Sequence, residues 1–219
     1  MKTLFLILYI AVSALHLAAS WRDDAEVRKK TKPFLLILLL LYYLFAADKV
    51  SLFLVLALLT SWLGDVLLIP KGNKWFTMGG ISFMFSHLFF VLVYCGRITL
   101  SKVNPLLILV LAVLYYGFSL FIIRRIRDNT PKAMVAPMYF YLFCNSTMNI
   151  FAMMQLLSRP SLAAALAYVG ALLFYVSDCC LFLVRYYKNP DIIYKKHFTV
   201  MLTYLLGELL IVVGILMLH

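Results

Sequence analysis

Apolar residues run along this chain in long blocks broken by short polar segments. The blocks fall at about 3–19, 33–48, 50–69, 75–95, 105–123, 134–157, 161–184 and 196–217. A helix rising ~1.5 Å per residue needs roughly 20 mostly apolar residues to cross a bilayer core. The pattern therefore predicts an all-α, polytopic membrane protein, a bundle of eight transmembrane helices. The second block is short, and the turn between the second and third is tight. No stretch reads as a separate soluble domain, so residues 1–219 form a single transmembrane domain.

The first block, "MKTLFLILYIAVSALHLAASW", has the lysine, apolar run and small residues of a signal peptide. The next segment, "RDDAEVRKKTK", is rich in Lys and Arg. Cleavage would require that segment to be translocated, against the positive-inside rule. The expectation is a retained first helix. Charge then orients the bundle. Loops after odd-numbered helices carry Arg22, Arg28, Lys29, Lys30 and Lys32, then Lys71 and Lys74, then Arg124, Arg125, Arg127 and Lys132, then Arg185, Lys188, Lys195 and Lys196. The opposite side holds Lys2, Lys49, Arg97, Lys102 and Arg159. Fifteen against five places the odd loops in the cytoplasm and both termini on the non-cytoplasmic side.

Composition agrees with this reading. Hydrophobic residues make up 65% of the chain and the mean hydropathy is +0.98, where soluble domains hold roughly 45–50% apolar residues. The net charge of +11 reflects basic loops at an anionic membrane face rather than nucleic-acid binding, since no nucleic-acid motif accompanies it. Cys95, Cys144, Cys179 and Cys180 all lie in apolar runs and are expected to pack as small hydrophobes. A bacterial cytoplasmic membrane is the expected location rather than the endoplasmic reticulum. Oligomeric state cannot be read from the sequence.

Ionisable groups inside membrane helices are costly and point to function. Here they are Asp65, His87, Asp178 and Glu208, accompanied by Ser86, Asn145, Asn149, Tyr175, Ser177 and Tyr204. Asp65 lies about 6 Å, and Asp178 about 9 Å, from the cytoplasmic ends of their helices by the helical rise. If those helices are neighbours, the two aspartates form a paired-carboxylate site. Each could instead meet headgroup water or a loop arginine. His87 could be a core histidine, Glu208 a bond to an adjacent helix, and Asn145 with Asn149, one turn apart, polar glue between helices. The frames "LLTSWLGDVLL" and "LLFYVSDCCLF" place both aspartates on the third helix of a four-helix half, which hints at a parallel internal repeat. The chain has no G-x-S-x-G, H-E-x-x-H or P-loop motif, so catalysis by carboxylates is expected over a serine or zinc hydrolase.

An ordered set of short motifs carries a family resemblance: Lys32-Pro33, "SWLGDVLL", "FTMGGISFMFSHLFF", "GALLFYVSDCCLFLVRY" and "YLLGELLI". Together they resemble the YhhN family of integral membrane proteins, whose animal members are lysoplasmalogenases. The resemblance implies a hydrolase that cleaves the vinyl ether bond of lysoplasmalogen to a fatty aldehyde and a glycerophospho-base. It also implies that Asp65 and Asp178 are the family's motif aspartates, with Lys32 and His87 in supporting places. Glu208 stands where the family often has Gln. Vinyl ethers hydrolyse by protonation at carbon, and two buried carboxyls can divide that work between acid and counter-ion, as glycosidase carboxylates do. Such chemistry calls for no metal or organic cofactor. The expected partners are a lysophospholipid substrate and membrane lipids, with the phosphate held by Lys32 or by Lys71, Lys74 or Arg185. Two other readings stay open: a proton-coupled transporter or lipid flippase, and a non-catalytic lysolipid-binding protein.

Overall fold

A computed structural model describes residues 1–218. Among the described residues the secondary structure is helical, with eight α-helices: α1 (Lys2–Trp21), α2 (Ala25–Ala46), α3 (Leu52–Leu67), α4 (Asn73–Cys95), α5 (Pro105–Ile126), α6 (Lys132–Ser158), α7 (Leu162–Tyr186) and α8 (His197–Met217). Several helix starts are written in the sequence. Asp24 accepts hydrogen bonds from the amides of Glu26 and Val27 and opens α2. Ser51, Asn104 and Ser161 cap α3, α5 and α7 in the same way. These side chains satisfy amides that a helix leaves without partners.

One boundary differs from the hydropathy pattern. The basic segment expected to be loop is helical from Ala25, so α2 is 22 residues long rather than short. Its charges hide it from an apolar count, while the Asp24 cap and Lys29–Glu26 pair (2.7 Å) support it locally. Pro33 lies inside α2 and interrupts the backbone ladder. The indole of Trp62 on α3 donates to the Pro33 carbonyl at 2.8 Å, which pins α3 to that point.

By length and composition α1, α4, α5, α7 and α8 can each cross a membrane, and α3 is apolar but shorter. Large hydrophobics such as Leu4, Ile7, Leu109, Val113, Leu114 and Phe118 are exposed on the outer faces of α1 and α5, as lipid contact requires. The chain is a multi-pass integral membrane protein.

The tightest packing joins α7 to α8. A Cβ on Gly170 would lie 2.6 Å from the Gly207 carbonyl oxygen, and one on Gly214 would lie 2.6 Å from that of Ala163. Backbone meets backbone along this seam, as small residues permit in membrane helices. Ser177 continues it by donating to the Val200 carbonyl at 2.8 Å. On the other side α3 packs against α4, where Ser82 donates to the Thr60 carbonyl at 2.7 Å. These two hairpins, with α2 and α6, surround the polar centre of the bundle. Of the cysteines only Cys179 is buried, and Cys95 is exposed.

Candidate active site

Asp65 and Asp178 line the same cavity, which has a volume of ≈ 200 Å³. Lys32, Ser177, Arg185, His197 and Tyr204 share its wall, and Phe76, Phe83 and Phe174 supply the apolar part. Both aspartates are nearly inaccessible, at 2% and 5% exposure. A buried carboxylate needs donors or a cation to offset lost hydration, and each aspartate has them.

The Lys32 ammonium sits 3.2 Å from Asp65 Oδ1, and the Tyr204 hydroxyl donates to Oδ2 at 2.9 Å. Both oxygens of Asp65 therefore face donors. Asp178 is held differently. The Asn145 amide donates to its Oδ2 at 2.6 Å, and His87 Nε2 approaches the same oxygen at 3.4 Å, longer than an ordinary hydrogen bond. The Asn149 amide donates in turn to Asn145 Oδ1 at 3.0 Å, which fixes which way the Asn145 amide points. Phe174 and Tyr141 pack edge-on against His87, with centroids 4.9 and 5.2 Å away, and hold the ring toward Asp178.

Glu208 lies outside the cavity wall and is fully buried. Ser61 donates to its Oε1 at 2.7 Å and also pairs with Ser86 at 2.7 Å, while Glu208 Oε2 has no hydrogen-bond partner. Ser61 and Asp65 share a face of α3 one turn apart, as Tyr204 and Glu208 do on α8. The two helices are thus joined by two polar rungs, Asp65–Tyr204 and Ser61–Glu208.

The structure gathers most of the residues singled out from the sequence. Lys32, Asp65, Ser177, Asp178 and Tyr204 line the cavity. His87 and Asn145 touch Asp178, Asn149 supports Asn145, and Ser86 and Glu208 meet through Ser61. Tyr175 is the exception. Its hydroxyl pairs with Ser119 at 2.6 Å and donates to the Tyr115 carbonyl at 3.0 Å, on the α5 side of α7. Although it lies only about one turn before Asp178 on the same helix, it does not line the cavity. Ser61, Tyr141, His197 and the three phenylalanines belong to the site without having been singled out. A serine or phenylalanine in an apolar run carries no sequence signal of its own, whereas Tyr141 lies one turn before Asn145.

Fold and site together define a polytopic membrane protein with two acidic side chains in one buried chamber. The chain belongs to the YhhN family, whose sequence profile matches residues 27–215, from the first turn of α2 almost to the end of α8. No curated protein and no solved structure matches it.

Proposed function

We propose that this protein is a lysoplasmalogenase-type hydrolase that uses Asp178 as proton donor and Asp65 as counter-ion. The observation that carries the proposal is the shared cavity: two carboxyl groups line one small, mostly apolar chamber, each with a different set of partners. Membership of the YhhN family supports the substrate class.

In this mechanism the carboxyl proton of Asp178 passes to the β-carbon of the vinyl ether, and the former double bond supplies the electron pair. The resulting oxocarbenium ion is balanced by Asp65, whose oxygens accept from Lys32 and Tyr204. Water adds to the cationic carbon and gives up a proton to a carboxylate. The hemiacetal then breaks its C–O bond, with the hydroxyl proton removed and the departing oxygen protonated. One water is consumed, and a fatty aldehyde and a glycerophospho-base leave. Electrostatic stabilisation of a cation in a dry site is worth more than in water. A second cavity of ≈ 380 Å³ among α4, α6 and α7 is lined by Ile81, Met84, Met138 and Phe140, and Phe76 borders both cavities. This apolar space is the place for the hydrocarbon chain.

The test is aldehyde release from lysoplasmalogen by purified protein. Asp178→Asn and Asp65→Asn should each lower turnover by roughly 10²-fold or more, the scale of losing acid–base catalysis. Wild-type rates in both variants would end the mechanism. A lipid that crosses the membrane chemically intact would favour a carrier instead.

A further inference from the structure

We propose that the basic pocket between α1, α2, the α3–α4 turn and α8 is a binding subsite for a phosphate ester. Its identity as a lipid phosphate rests on the hydrolase reading above; its preference for phosphate does not. The pocket has a volume of ≈ 250 Å³ and is lined by Arg28, Lys29, Lys32, Lys71, His16 and His197, with no aspartate or glutamate in its wall. Three of its four Lys and Arg cations are tied to acids outside it, Arg28 to Asp23 at 2.9 Å, Lys29 to Glu26 at 2.7 Å and Lys32 to Asp65 at 3.2 Å. Lys71 forms no ion pair among the described residues, so the concavity keeps one uncompensated positive charge, carried by Lys71.

This pocket differs from an ordinary basic membrane face in two ways. First, two of its four cations are withdrawn from solvent, the Arg28 and Lys32 side chains being only 17% and 16% exposed, while Lys29 and Lys71 are open. Cations meant only to sit among headgroups are usually solvated, as Lys30 and Lys74 are here. Second, it adjoins the aspartate cavity. Lys32, Leu68, His197 and Met201 line both, and Lys32 reaches Asp65 from the boundary. An anion in the basic pocket and a reacting group beside Asp65 would be separated only by this shared wall. Guanidinium and ammonium donors from α2 and from the α3–α4 turn match the oxygens of a phosphate ester. The Lys32 ammonium would then lie between the phosphate and Asp65, and so help align the substrate.

Binding of non-cleavable probes tests this without any need for turnover. The probes are a single-chain alkyl-ether lysophospholipid, the matching alkylglycerol without phosphate, and inorganic phosphate as competitor. Wild-type protein should bind the phospholipid on the order of tenfold or more tightly than the alkylglycerol. Arg28→Ala and Lys71→Ala should each remove much of that preference while leaving alkylglycerol affinity unchanged. Lys30→Ala and Lys74→Ala remove the same charge outside the pocket and should leave the preference intact. Displacement of the lipid by inorganic phosphate, weakened in the Lys71→Ala protein, would identify the phosphate group itself as the element recognised. An unchanged preference in both pocket variants would overturn the proposal, as would equal losses in the Lys30 and Lys74 controls. Phosphate-dependent binding with no aldehyde release would retain this subsite and reject the hydrolase reading.

Discussion

Asp65 and Asp178 are the same residue type in one cavity, and their neighbours separate them. Asp65 accepts from a phenol and faces an ammonium, whereas Asp178 accepts from a neutral amide and has an imidazole nearby. Removing the phenol tests the counter-ion role most gently. Tyr204→Phe keeps the ring that packs edge-on against Phe83 and Phe174 and deletes only the donor to Asp65. A hydrogen bond to a charged group contributes about 1.5–3 kcal/mol, so aldehyde release should fall roughly 10- to 150-fold. Unchanged release, with folding verified by thermal unfolding, would show that this bond does not serve the reaction. Glu208 gives a contrasting case. Only its Oε1 is used, as acceptor from Ser61, and a glutamine offers the same oxygen. Glu208→Gln should therefore hold stability within about 1 kcal/mol and keep activity, whereas Glu208→Leu deprives Ser61 of its acceptor and should cost about 1–3 kcal/mol. If thermal unfolding places Gln with Leu, the carboxyl does more than accept one hydrogen bond.

The helices position the site through their seams. Along α7 and α8 the contacts keep one antiparallel register: Gly170 meets Gly207, Ala163 meets Gly214, and Ser177 meets Val200. The same register brings Asp178 and Tyr204 to the wall of one cavity. Gly170→Val would drive a side chain into the α8 backbone, so several kcal/mol of destabilisation and loss of activity are expected. Gly117 on α5 has open space around its Cβ direction, and Gly117→Ala should be neutral or stabilising by up to about 1 kcal/mol. Matching melting shifts for the two variants would contradict the seam. Much of this scale was legible beforehand. Hydropathy marked eight helices, and helical rise put Asp65 and Asp178 at similar depth. What could not be read was adjacency. Nothing in "YLLGELLI" says that Tyr204 reaches α3 while Glu208 reaches Ser61, because partners across helices are set by packing. Tyr175 differs for a related reason: a position one turn from Asp178 does not decide which neighbouring helix its hydroxyl reaches.

Across the whole molecule the two carboxylates are reached from corresponding helices. Asp65 on α3 receives Lys32 from α2 and Tyr204 from α8; Asp178 on α7 receives Asn145 from α6 and approaches His87 on α4. Each is thus served by the second helix of its own half and the fourth helix of the other. The spacing repeats too, since 178 − 65 = 113 and 145 − 32 = 113. Packing follows the same plan, with α3 on α4 as α7 is on α8, and α1 on α2 as α5 is on α6. This is the pattern expected of a parallel repeat, in which each half would have four helices and both would run through the bilayer in the same sense. The residue types have diverged where the scaffold has not: a cation serves one carboxylate and an amide the other. A parallel repeat makes a strict demand on topology. The loop around Gly72, after α3, and the loop around Lys188, after α7, must lie on one side of the membrane, and the basic residues they carry predict the cytoplasmic side. Single cysteines placed at those two loops, in a protein freed of its four native ones, should both resist an impermeant thiol reagent applied to intact cells. Both should react once the membrane is opened, whereas a cysteine beside Lys49 should react from outside. Labelling of the two loops from opposite sides would rule out the parallel repeat.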